Sequence, residues 1–365
     1  MVSWFRRYLL PGFVFQSIII AGGYGTGREL VEFFLQYGPL GGLLGMLLPS
    51  TILASLTAMV AFEFARRFRA YDYRTFFENL LGPGWVAYEL GYLTAVLLIL
   101  AVIGSAAGTF LIETFGVPYA LGVAGMFAVV GFLVFKGTDA IERFLAGWSF
   151  ILYGGYATLF IWSLVVFGDE IASALGTGEI RDGWVLSGLR YGALQVSLVP
   201  AMLFATRHIE RRREALWAGA LAGPIAIIPG ILFFLAMVGH YPAILERPVP
   251  ANYVLELLGS RAFQIAFQVV LFGTLIETGA GLIHAFNERV DATFSLRQKS
   301  MPGWARPAIA VGLLVAGALV SRFGLVNLIA TGYGALTWVF MALVVVPLLT
   351  IGIAKIRRLD REEGS

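Results

Sequence analysis

Glycines at 22, 23, 25 and 27 interrupt the first long apolar run of this sequence, and charge follows at once in Arg28, Glu29 and Glu32. The segment reads Ile20-Ala21-Gly22-Gly23-Tyr24-Gly25-Thr26-Gly27-Arg28-Glu29. A helix crossing a bilayer satisfies its own backbone, so bare peptide groups at that depth persist only where protein or a water-filled cavity receives them. Glycines so spaced do not share one helical face, which favours a break over a helix-packing stripe and lets the backbone take positive φ and approach a ligand. Such a break has its own chemistry. Carbonyls ending the first half-helix form a negative pole suited to a cation, and N–H groups opening the second form a positive pole suited to a carboxylate. Gly22, Gly23, Tyr24, Gly25, Thr26, Gly27 and Arg28 are therefore candidate substrate-binding residues. Arg28 has a local partner in Glu32, four residues on; facing a cavity instead, its planar fork would select a carboxylate or other anion. Glu29 and Glu32 also suit the first turn of the second half-helix, and both are candidates for ion or proton coupling.

Composition defines the element that must carry this segment. Hydrophobic residues make up 58% of the 365, charged residues 13%, and mean hydropathy is +0.81, so the preferred solvent is lipid. The 44 glycines suit closely packed membrane helices, and the absence of cysteine excludes disulfides and thiolate metal sites. The histidines, His208, His240 and His284, are scattered, which argues against a metal centre and against a membrane-embedded enzyme. No cofactor and no nucleic-acid partner are expected. The partners expected are the lipid bilayer and a small-molecule substrate.

Apolar runs of about 20 residues, enough to cross roughly 30 Å of hydrocarbon, predict ten spans, at 9–37, 40–64, 85–114, 118–135, 145–167, 184–206, 215–239, 262–285, 304–320 and 325–354. The first has no small-residue cleavage site and is too long for a signal peptide. Ten crossings put both termini on one face. Twenty Lys and Arg residues fall on that face, including Arg6, Arg7 and the Arg207–Arg213 run, against four on the other. By the positive-inside rule both termini are expected to be cytoplasmic. Short amphipathic surface helices are expected near 69–81 and 251–258.

Five spans per half would invert one half against the other, the plan of many secondary transporters. A shift of about 174 residues carries Tyr24 onto Leu198 and span 3 onto span 8. There span 6 reads Gln195-Val196-Ser197-Leu198-Val199-Pro200-Ala201, and the proline removes a helical hydrogen bond. Spans 1 and 6 are thus both expected to be interrupted, within one transmembrane domain over 1–365 whose repeats run approximately 8–167 and 184–354. Ser197 and Pro200 join the candidate substrate-binding residues. Glu277, in Leu275-Ile276-Glu277-Thr278, is the deepest carboxylate in the chain.

The pattern G-Y-G-T-G-R-E-L-V-E-F-F from Gly23 to Phe34 resembles the first-span signature of the YkvI-type permeases of the amino acid-polyamine-organocation superfamily. Pro248 to Tyr253, Glu277 to Gly281 and Asn287 to Arg289 extend the likeness, with Arg28 where that family usually has Gln. The resemblance implies an all-α, LeuT-like five-plus-five fold in which spans 1, 2, 6 and 7 move against spans 3, 4, 8 and 9, with substrate between the two breaks. It also implies that span 8 faces the first break. Glu277 is then a candidate to approach Arg28 or the substrate and to carry a proton, the alternative being a fixed ion pair. Thr274 and Thr278 lie where sodium-coupled relatives place hydroxyl ligands; bonding back to their own helix is the competing role. Ser105 on span 3 is a further cavity candidate, Tyr153, Tyr156, Thr331 and Tyr333 are candidate gates, and Arg190 is set to snorkel outward or pair with Glu113. The function implied is secondary transport of an amino acid or related small carboxylate or zwitterion across the cytoplasmic membrane, with H+ or Na+ as coupling ion. A passive channel or a ligand sensor is the alternative.

Overall fold

The computed structural model describes residues 4–20, 22–136, 138–296 and 300–363. Every regular element among them is helical. Six helices are long and apolar enough to cross a bilayer unaided: Pro39–Phe68, Tyr73–Phe115, Ile151–Gly176, Arg212–Val238, Arg261–Asp291 and Leu325–Glu362. They contain spans 2, 3, 5, 7, 8 and 10. The shorter apolar helices Tyr119–Phe135 and Ala305–Ser321 are spans 4 and 9. Spans 1 and 6 are the interrupted pair, so the ten expected crossings are all found among the described residues.

Several ends differ from the sequence expectation, each for a local reason. Span 5 does not stop at Phe167: it kinks there, with φ −119° and ψ 24°, and continues to Gly176. Hydropathy falls past Phe167, but no proline forces an end. Span 8 likewise runs on past Ala285 to Leu296. Pro49, which has no N–H to donate, sits in a wide turn over Met46–Ser50 inside span 2. The surface helix Tyr73–Leu81 begins later than expected because Asp72 caps it, accepting from the Thr75 N–H at 2.9 Å. Its counterpart is Pro250–Leu257.

Bare backbone brings spans 2, 6 and 7 together. A Cβ at Gly219 of span 7 would strike the Met59 backbone of span 2, and one at Gly223 would strike Ser55 Oγ and the Thr51 carbonyl. Ser55 Oγ donates to the Ala220 carbonyl at 3.0 Å across the same contact. Gly188 of span 6 lies equally close to Gly45 and Pro49 of span 2. In lipid such approach is what dispersion and interhelical hydrogen bonds require, because apolar side chains gain nothing by leaving one hydrocarbon for another. Spans 3, 4 and 9 pack in the same manner, with Gly108 against Tyr119, Gly104 against Phe127 and Gly317 against Leu100.

Gly219→Leu should therefore overpack the span 2–span 7 contact and cost about 1–3 kcal/mol. The expected result is a lower thermal midpoint for the detergent-purified protein. Gly125→Leu, where an added Cβ meets nothing within 4 Å, should leave the midpoint unchanged.

Candidate functional site

Span 1 is helical over Trp4–Tyr8 and Leu10–Ile19, then leaves the helix at Ile20, with φ −72° and ψ 83°. Ala21 lies outside the described residues. A single turn follows, Gly22–Gly25, containing Gly23 and Tyr24, and the helix resumes at Arg28–Phe33. Gly27 joins the two with φ +81°, a conformation that a residue with a Cβ rarely adopts. The break thus falls where the glycines place it.

Its backbone poles are occupied differently from the sequence expectation. The Gly27 N–H donates to the Tyr24 carbonyl at 2.9 Å, and Thr26 Oγ1 donates to the Gly23 carbonyl at 2.9 Å while accepting from the Arg28 N–H at 3.4 Å. The Thr26 carbonyl accepts from the Ala251 N–H of the Pro250–Leu257 helix at 3.0 Å. Thr26 thus caps the second half-helix itself, filling positions that the sequence reading gave to a solute carboxylate.

Span 6 is an α-helix over Trp184–Val196 and then tightens into a 3-10 helix over Val199–His208. Pro200 stands at the start of that second piece; its side chain lies outside the described residues. Ser197 Oγ donates to the Leu194 carbonyl at 2.5 Å, and the Ser197 carbonyl accepts from Tyr88 Oη of span 3 at 3.3 Å.

The two breaks meet at a pocket of about 40 Å³. Span 1 contributes Ile19 and Glu29, span 3 Ala95 and Ile99, span 6 Tyr191, Leu194, Gln195, Ser197 and Leu198, and span 10 Tyr333 and Leu336. Glu29 is 5% exposed, and Tyr191 Oη donates to its Oε2 at 3.2 Å. Its carboxyl folds back over Gly23, where a Cβ would overlap it. Gln195, 4% exposed, keeps its Nε2 without a hydrogen-bond partner. A carboxyl group and an amide therefore share an otherwise apolar chamber at the crossing of the broken helices.

Arg28 does not reach this chamber or Glu277. Its Nη2 bonds Glu32 Oε2 at 3.0 Å, and its Nη1 donates to the Leu245 carbonyl at 2.8 Å and the Arg247 carbonyl at 3.3 Å. The i,i+4 partner on its own helix wins because both groups sit on one face within side-chain reach. Glu277 is half-buried on span 8 within electrostatic reach of Tyr153 of span 5. Tyr153 Oη in turn donates to Gln16 Oε1 of span 1 at 2.9 Å. Thr274 bonds back to the Val270 carbonyl at 3.0 Å, and Thr278 is half-buried one turn further on. Gly25 packs against Leu271 of span 8 and Tyr156 of span 5. Ser105 accepts from Tyr119 Oη at 2.9 Å and so belongs to the contact of spans 3 and 4, away from the chamber. Arg190 turns to the Gly334 carbonyl and Thr337 Oγ1 of span 10, both at 3.3 Å, while Glu113 accepts from Asn252 Nδ2 at 3.1 Å. Thr331 donates to Asn327 within span 10.

Both ends of the moving spans are tied down. On the face bearing the termini, Arg7 pairs with Glu214 at 2.8 Å and Glu210 at 3.2 Å. On the opposite face the Arg28 contacts bridge span 1 to the 243–247 turn. There the Glu179 carbonyl accepts from the Leu40 and Gly41 N–H groups, and its carboxylate accepts from Tyr241 Oη at 2.8 Å and Arg181 Nε at 2.7 Å. Helix Pro250–Leu257 is held to spans 3 and 8 by Asn252, which bonds Glu113, Thr114 and Gln268.

Tyr191 and Gln195 were not singled out from sequence as ligands, although they lie four residues apart on one face of an apolar span, a spacing that brings two polar side chains together. Tyr333 was singled out as a gate and lines the chamber. Among the described residues no group of three or more His, Cys, Asp or Glu is arranged to hold a metal ion.

These features define the class: an all-α membrane protein of LeuT-like five-plus-five plan, with spans 1 and 6 broken at a common chamber. No protein-family model matches the chain. It is 23% identical over 339 residues to the Uncharacterized membrane protein YkvI of Bacillus subtilis (strain 168), covering 91% of this chain and 92% of that one. Among solved structures it is similar to MhsT in complex with L-phenylalanine, with TM-score 0.59, 19% identity, 96% of this chain and 87% of that one covered. It is also similar to a manganese transporter of Eremococcus coleocola, with TM-score 0.54, 17% identity and coverage of 94% and 78%. A Na+-coupled sialic acid symporter in a substrate-bound outward-open state matches with TM-score 0.53, 13% identity and coverage of 88% and 78%. At these identities the likeness establishes the fold.

Two outcomes follow for the tied ends. Arg28→Met should cost about 1–3 kcal/mol, Glu32→Gln a similar amount, and the double variant less than their sum, as read from thermal midpoints in one detergent. The Tyr241 hydroxyl, and then Arg181, hold the Glu179 carboxyl below the usual carboxylate range, while burial and Glu179 push Tyr241 up to about 12. A lowered carboxyl contributes stability above its unfolded value of about 4.3, and that stability disappears as pH falls through the lower folded value. The thermal midpoint of Glu179→Gln should therefore fall less than that of the parent between pH 5 and pH 3, as buffer-matched melts would show.

Proposed function

We propose that the chain is a secondary active transporter that moves an amino acid or a related small carboxylate or zwitterion by alternating access. The observation that carries this reading is the meeting of two broken helices at one chamber, with contacts tying the moving spans on both faces. In a bilayer, irregular backbone is tolerated where it lines such a site, and rocking one helix group against the other around it exposes the site to each face in turn. The structures of similar fold, an L-phenylalanine complex, a manganese transporter and a Na+-coupled sialic acid symporter, support transport of a small solute.

The coupling ion in this reading is H+ or Na+, with Glu277 and Glu29 as the carboxylates available to a proton and Thr274 and Thr278 as hydroxyls available to sodium. The membrane is the cytoplasmic one, with both termini inside, on the Lys and Arg distribution.

Purified protein in liposomes, with an imposed pH or sodium gradient and a panel of labelled amino acids, should accumulate one class above equilibrium and lose it when the gradient is dissipated. Flux that only equilibrates would identify a channel. No flux of any solute in the panel would overturn the reading.

A further inference from the structure

The ligand chemistry of the chamber is set by what it contains and by what is directed elsewhere. Its acidic group is Glu29, 95% buried. Tyr191 of span 6 bonds it at 3.2 Å, and Tyr333 of span 10 and Gln195 of span 6 line the same chamber. Among the described residues that line the chamber there is no Lys, Arg or His. The two nearby arginines are engaged, Arg28 with Glu32 and the 243–247 turn, Arg190 with span 10. Of the amides that open the second half-helix, those of Gly27 and Arg28 are taken by the Tyr24 carbonyl and Thr26 Oγ1.

We propose that Glu29 is the seat of the solute's ammonium group, and that the chamber selects small amines with an apolar body over carboxylates that lack an amine. This rests on the transporter reading for what happens after binding, but not for binding itself. An ammonium supplies the countercharge that a buried carboxylate requires, and it tolerates the neighbouring aromatic rings. Ile19, Ala95, Ile99, Leu194, Leu198 and Leu336 suit an alkyl or aryl body. The unpartnered Gln195 Nε2 offers one neutral hydrogen bond, enough for a hydroxyl or carbonyl but without the charge to hold a carboxylate. Gly23 is part of the seat, since its bare Cα leaves room for the carboxyl that folds over it.

The test is thermal unfolding and isothermal titration of the purified full chain at pH 7 with two matched series. The first is ethylamine, alanine and propionate; the second is isoamylamine, leucine and isocaproate. The expected result is that at least one amine binds and raises the midpoint, that its amino acid binds more weakly or equally, and that the amine-free acid does not bind. Glu29→Gln should weaken amine affinity at least roughly tenfold, as expected when a buried charge loses its partner. Propionate or isocaproate binding as tightly as the amines, no response to either amine, stabilisation by sodium chloride instead, or unchanged amine affinity in Glu29→Gln would each overturn the proposal. If Glu29→Gln does not fold, the amine-against-acid comparison on the parent protein still decides. Amine binding without any uptake into liposomes would overturn transport and leave the ammonium seat standing.

Discussion

Peptide groups without water are the constraint from which the rest of this architecture follows. Two helices give up their internal hydrogen bonds in the middle of the bilayer, and each freed group needs a partner. Around Gly27 those partners are local, the Thr26 hydroxyl and the Tyr24 carbonyl, together with an amide from Ala251. At Ser197 the partner is Tyr88 of span 3. Each such bond contributes about 1 kcal/mol net, but leaving a buried group unmade costs more. The breaks are thereby stable features of the fold, and side chains, not backbone, are left to meet a solute.

Close packing of small residues complements this. Span 7 can press on span 2 because Gly219 and Gly223 have no side chain there, so spans 1, 2, 6 and 7 can be carried as one unit. Arg7 with Glu214 joins spans 1 and 7 by charge at one end, and at the other Arg28 donates to the Leu245 and Arg247 carbonyls of the turn after span 7. Glu214 also accepts from the Glu210 and Arg211 N–H groups, so the same carboxylate that pairs Arg7 caps the start of span 7.

The span count, the two breaks and their symmetric placement were legible in the sequence because hydropathy, glycine and proline act locally along the chain. The end of span 5 was not, since Asp169 and Glu170 lower hydropathy without breaking the helix that runs to Gly176. Of the two placements open to Arg28, the structure has the pairing with Glu32, a contact fixed by helical spacing, whereas reach towards Glu277 depends on rotation of a half-helix about its axis. The same rotation turns Glu29 into the chamber. From sequence it is a helix-start acid or a coupling carboxylate, and the packing of Tyr191, Gln195 and Tyr333 beside it is set by the fold. Which of three neighbouring charges faces inward is decided by the few degrees that Gly27 adds to the chain, and no pattern of residue types records that angle.

The amide of Ala251 grips the carbonyl of Thr26, while Asn252, the next residue, is moored to spans 3 and 8 through Glu113 and Gln268. One short helix is therefore a tether between the rigid half of the molecule and the severed point of span 1. A swing of the upper half of that span must either tow the tether along or snap a single bond. The separation available before that bond parts is no longer than a stretched hydrogen bond.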